Sequence, residues 1–103
     1  MSITTAIASL KSKVPVTAAE AKAFLDSLPA DVQEQLIAAV YLGREHIHST
    51  ALRQDLKMSR SYTDDIAKED YPRILHEKGE NVSTYLSKLE ECATASGFDL
   101  NAL

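Results

Sequence analysis

A chain of 103 residues with net charge −4 is sized for one domain, 1–103, and its 45% apolar and 25% charged residues exclude a disordered or low-complexity chain. Nucleic acid is an unfavoured partner, because phosphate neutralisation supplies most non-specific affinity and no stretch is basic: residues 1–43 carry +3 and −4, 44–78 carry +7 and −7, and 79–103 carry +1 and −4. The single Cys92 allows no internal disulfide, the start Met1-Ser2-Ile3-Thr4 does not read as a signal peptide, and the longest apolar run, 36–42, is too short for a bilayer, so a cytoplasmic chain without membrane association is expected.

Periodicity points to helices throughout. Ile3, Ile7 and Leu10 fall at helical spacing in a first helix over 2–12, and Val14-Pro15-Val16 ends it. Thr17-Ala18-Ala19-Glu20 has the form of a capping box and opens a second helix through Leu28, with Ala21, Phe24, Leu25 and Leu28 on one face. Pro29 suits the start of a third helix. In that helix Val32, Leu36, Ile37, Val40 and Tyr41 form an apolar face, and the unbroken run Leu36-Ile37-Ala38-Ala39-Val40-Tyr41-Leu42 marks it as the buried spine, ending near Arg44. Gly43 either closes this helix or admits another helix against it.

Beyond the spine, Ser49 or Thr50 is placed to cap a helix that buries Leu52 and Leu56, Ser59-Arg60-Ser61 reads as a turn, and Thr63 is placed to cap a short helix containing Ile66. Tyr71-Pro72 marks a further start, with Ile74 and Leu75 inside. Gly79 stops or bends that helix. Asn81 is placed to cap a last helix over 82–95, in which Val82, Tyr85, Leu86, Leu89 and Ala93 form one stripe. Gly97 suits a left-handed cap, with Phe98 folding back on the final turn. No segment alternates apolar and polar residues as a strand would. The expected fold is therefore all-α, a compact bundle of five to six helices around a central helix at about 30–44.

Chemistry is harder to place. The segment Tyr41, Arg44, Glu45, His46, His48 gathers polar groups where the spine surfaces, and is the candidate ligand or partner patch. As a metal site it is poorly spaced: His46 and His48 diverge by about 200° on a helix, and although Glu45 and His48 are three apart, only His76 or Cys92 is left to complete a set. Histidines at a helix C-terminus also interact favourably with its dipole. No metal and no cofactor is assigned. Cys92, beside Glu91 near a helix end, lacks the cation a thiolate nucleophile needs. There is no nucleophile elbow and no glycine-rich phosphate loop, and so no catalytic residue.

The stretch 50–67 has the rhythm of a DNA-binding helix-turn-helix, with Arg60, Ser61 and Tyr62 as its contacts. However, Arg53 stands where a small buried residue belongs, and Asp64 and Asp65 would face phosphates with the wrong sign.

The residues Leu28-Pro29 through Gln33 and Leu36, ending in Tyr41-Leu42-Gly43-Arg44, together with Tyr85-Leu86, resemble a group of small uncharacterised bacterial proteins classed as a domain of unknown function. The resemblance spans about half of the chain. It implies a bacterial helical domain without assigned activity, so it carries no functional residue across. The expectation is a non-enzymatic protein-interaction module, self-associating as a dimer or engaging an unidentified protein, because the helices carry more apolar face than one spine needs. Helix-turn-helix DNA binding and metal or ligand binding through 41–48 are the alternatives.

Overall fold

The computed structural model describes residues 1–103. Five α-helices and three short 3-10 turns make the whole fold, with no strand. The helices are α1 (Ile3–Lys11), α2 (Ala18–Asp26), α3 (Ala30–Glu45), α4 (Tyr71–Lys78) and α5 (Asn81–Ala95).

Local chemistry sets most boundaries. Ser2 accepts the Thr5 amide and caps α1. At α2 the capping box forms in both directions: Thr17 Oγ1 accepts the Glu20 amide at 3.0 Å, and the Glu20 carboxylate accepts the Thr17 amide at 2.9 Å. These backbone and side-chain bonds to Thr17 hold the Glu20 carboxyl below the usual range. α2 ends at Asp26, slightly earlier than its pattern suggests, and Leu28 is buried from the connecting turn. Pro29 is the N-cap residue of α3 rather than its first helical residue.

α3 is the spine. Six consecutive residues, Gln35 to Val40, are buried on all sides, which an amphipathic surface helix never shows. α5 packs on it most extensively, α1 lies against both, and α2 pairs with α4. All five helices feed one apolar cluster. The closest approach is at Gly43, inside α3, where an added Cβ would stand 2.5 Å from the carbonyl carbon of Tyr85 on α5 and closer still to its oxygen. Gly43 therefore admits α5 and does not end the spine, which continues to Glu45.

Gly79 ends α4 with φ +53°, and α5 follows almost at once. Asn81 is the first helical residue of α5, not its cap; Glu80 holds the cap position and makes no side-chain bond there. At the far end of α5, Gly97 takes φ +66°. The Phe98 amide returns to the Ala93 carbonyl at 2.8 Å and the Gly97 amide to Thr94 at 3.2 Å, the paired bonds of a Schellman cap.

Two expected elements are absent. No helix begins at Ser49 or Thr50, since residues 46–59 form turns and bends. A 3-10 turn over Arg60–Thr63 follows, capped by Ser59, and Thr63 closes it instead of opening a helix. The reason lies in long-range partners. The Leu52 amide donates to Ser96 Oγ at 2.9 Å and the Arg53 amide to His46 Nε2 at 3.0 Å. With both amides held by other elements, the segment is a strap from α3 to α5. A further 3-10 turn, Leu100–Ala102, has no counterpart in the sequence pattern; Leu100 and Leu103 are buried. The buried Gln35 amide donates to the Leu103 carbonyl at 3.0 Å and the Asn101 carbonyl at 3.2 Å, which satisfies a polar group in the core.

Candidate functional site

The residues expected to form one patch at 41–48 separate. His46 is fully buried. Its Nδ1 donates to the Leu42 carbonyl at 2.7 Å and its Nε2 accepts the Arg53 amide at 3.0 Å. Both ring nitrogens are occupied inside the protein, so His46 is a structural pin and not a ligand-facing group. Glu45 lies 3.7 Å from Arg53, whose guanidinium is held mainly by Asp55. That Arg53–Asp55 hydrogen bond lowers the Asp55 carboxyl and raises the Arg53 guanidinium. His48 is exposed and makes no side-chain bond. No group of three or more His, Cys, Asp or Glu side chains is arranged to hold a metal ion. The metal alternative through 41–48 is thereby corrected: its histidines point to different environments. His76 is engaged elsewhere, donating from Nδ1 to the Val16 carbonyl at 2.9 Å.

Cys92 is buried, its thiol 3.6 Å from the Ser49 carbonyl. Burial is the main influence pushing its pKa up, consistent with a packing role at the base of the strap.

The helix-turn-helix expectation is also corrected. It requires two α-helices across 50–67, and that stretch contains none. Arg60 donates to the Leu103 carbonyl from Nε at 3.1 Å and from a terminal nitrogen at 2.8 Å, so its fork is committed to the chain itself. Ser61 bonds Ser59 at 2.9 Å, and Tyr62 packs against the core.

Tyr41 and Arg44 remain, and sequence did not indicate their company. They lie three apart on α3, hence on one face. The Lys78 ammonium stands 4.5 Å from the centroid of the Tyr41 ring, a cation–π geometry. Lys78 is half-buried and forms no ion pair, and Arg44 is exposed and forms none either. Partial burial, followed by the nearby Arg44 charge, pushes the Lys78 ammonium below the usual lysine range, while Glu77 opposes this.

Tyr41 and Lys78 line a groove of about 410 Å³ together with Asp65, Ile66, Asp70, Arg73, Ile74 and Glu77. α4 forms its length, since Asp70, Arg73, Glu77 and Lys78 follow one another by turns over about 12 Å. Arg73 bridges Glu77 at 3.1 Å and Asp70 at 3.6 Å, one cation shared by two carboxylates, which leaves the middle acidic by one charge. Asp65 makes no ion pair and is exposed. The groove thus carries uncompensated charge of both signs. Nothing in it pairs a nucleophile with a base.

Matched against family models, curated proteins and solved structures, the chain finds no counterpart in any of the three. The groove must therefore be understood from its own chemistry.

Proposed function

We propose that the chain is a non-enzymatic protein-interaction module of the cytoplasm that associates reversibly through the α3–α4 groove, with a second copy as its partner. The observation that carries this reading is the uncompensated cation and anion in one groove, Lys78 and Asp65. Two copies related by a two-fold axis meet Lys78 with Asp65 twice, because an isologous contact repeats each pairing. Cytoplasmic residence rests on the lone buried thiol.

The surface also limits the strength of the association. Met1 is the one large hydrophobic side chain that stands exposed, and the apolar stripe of α5 is spent on the core. The surplus apolar face that first suggested self-association is therefore absent. Exposed ion pairs contribute about 0–1 kcal/mol each, so the two of them supply at most about 2 kcal/mol, and the association is no tighter than about 1 mM.

Sedimentation velocity across protein concentration tests this. The mass should rise toward the dimer at low ionic strength and fall as salt screens the contacts. Lys78→Glu should keep the chain monomeric, and Lys78→Glu with Asp65→Lys should restore association. A mass that does not rise with protein concentration at low salt would defeat the proposal. No membrane contact is invoked, as no helix is long and apolar enough to cross one.

A further inference from the structure

Histidine is the side chain whose charge ordinarily changes between about pH 5 and 8. Of the three in this protein, His48 and His76 are exposed and His46 is fully buried. The two ring nitrogens of His46 are used in opposite senses. Nδ1 donates to the Leu42 carbonyl at 2.7 Å, within the last turn of α3, whereas Nε2 accepts the Arg53 amide at 3.0 Å. A backbone amide can only donate, so the second bond exists only while the imidazole is neutral. A proton on Nε2 would set two N–H groups against each other and leave the Arg53 amide without an acceptor.

Charged groups approach the ring from each element around it. On α3, Glu45 is its neighbour, while Arg44 is exposed and lies about 200° around the helix. On the strap, His48 is exposed. The Arg53 guanidinium is shared there by Asp55 and, at 3.7 Å, by Glu45, and the Asp55 carboxyl feels the His46 charge. The 3-10 turn brings Tyr62 near Arg53. On α5, Lys88 and Glu91 pair with each other at 3.1 Å, and Cys92 stays a neutral thiol. One guanidinium between two carboxylates leaves a net negative charge beside the ring, which offsets the cost of an imidazolium there.

We propose that His46 is an acid-sensitive latch: protonation of Nε2 breaks the Arg53 amide bond, frees the strap around Leu52 and Arg53, and uncovers the Cys92 thiol, which the Ser49 carbonyl covers in the closed form. The proton comes from solvent and stays on Nε2. Nδ1 keeps its bond to Leu42, so the ring remains with α3 while the strap leaves. The open form holds one proton more than the closed form, so acid populates it and higher pH closes it. The latch stands apart from the α3–α4 groove and needs no second copy.

The test follows the intact chain by NMR and hydrogen exchange between about pH 7.5 and 5. Ring nitrogen shifts should show His46 Nε2 changing from acceptor to N–H. Over the same range the protection factor of the Arg53 amide, corrected for the pH dependence of intrinsic exchange, should fall at least about tenfold. Cys92 should gain reactivity toward a dithiodipyridine, measured against a free thiol, while the helical circular dichroism stays constant. His46→Gln keeps an acceptor oxygen and cannot titrate, so its Arg53 protection should not depend on pH, whereas His48→Gln should behave as the parent. A ring that stays neutral down to about pH 5, constant Arg53 protection, or a pH dependence that survives in His46→Gln overturns the latch. So does a loss of helical signal in step with Arg53 protection, since global unfolding needs no latch. Should His46→Gln not fold, the ring shifts and Arg53 protection of the parent chain decide between these outcomes.

Discussion

Replacing Gly43 by alanine sets two calculable effects against each other. In an exposed helix interior, alanine is better than glycine by about 1 kcal/mol, so propensity alone predicts a more stable protein. At Gly43 the new methyl would sit 2.5 Å from the Tyr85 carbonyl carbon and 3.1 Å from its Cα. Ordinary contact begins near 3.4 Å, and the obstacle is main chain, which has no rotamer to change. α3 and α5 must therefore separate by about 1 Å or more, loosening the packing around Leu86 and Leu89, both fully buried. Overpacking of this kind costs about 1–3 kcal/mol or more, and rigidity on both sides places it at the upper end. The net expectation is a loss of about 2 kcal/mol after the propensity gain, or roughly 8–16 °C in Tm for a domain of this size. Urea melts followed by circular dichroism, with the m-value checked for constancy, measure it. A Gly43→Ala protein as stable as the parent would refute the close-approach argument.

Three further outcomes follow from other parts of the fold. His46→Ala should cost about 2–3 kcal/mol and speed hydrogen exchange at the Arg53 amide, whose acceptor is lost; unchanged exchange there would show that the strap is held otherwise. Thr63 Oγ1 is buried without a hydrogen-bond partner, so Thr63→Val should be neutral or stabilising by about 1 kcal/mol, and a clear loss in a thermal melt would reveal a partner for the hydroxyl. Lys78, lowered chiefly by burial, binds fewer protons folded than unfolded between its two pKa values. Stability should therefore rise with pH as the chain passes from the folded value of Lys78 up to its ordinary one. An NMR titration of the Lys78 side chain that falls at or above the ordinary lysine value would contradict the direction.

The parts of the fold legible in sequence are those decided within a turn or two of chain. The Thr17–Glu20 box, the Gly97 cap and the apolar run of α3 each contain their cause locally. The strap misled because Ser49, Thr50, Leu52 and Leu56 imitate a capped amphipathic turn, whereas its amides are satisfied by His46 and Ser96. Nothing around His46 marked it as interior, because its burial depends on a segment that returns over it. Tyr71 precedes a proline yet takes helical dihedrals, φ −56° and ψ −46°; its ring is buried at 4% exposure, and packing outweighs the local bias. At the candidate site, Tyr41 and Arg44 were visible through their spacing of three. Lys78 was not, since a contact across 37 positions leaves no periodic trace.

The strap is anchored mainly through main-chain atoms, and this divides its residues into two kinds for evolution and engineering. The amides of Leu52 and Arg53 and the carbonyl of Ser49 exist whatever side chains those positions carry. The constraint falls on their partners, His46 and Ser96, which accept the two amides, and Cys92, whose thiol donates to the Ser49 carbonyl. Exposed positions such as Thr50, Ala51, Gln54 and Lys57 are free to diverge, or to accept a grafted recognition sequence, while the three anchors keep its path. The variable surface and the residues that guarantee its shape are thus in different parts of the chain.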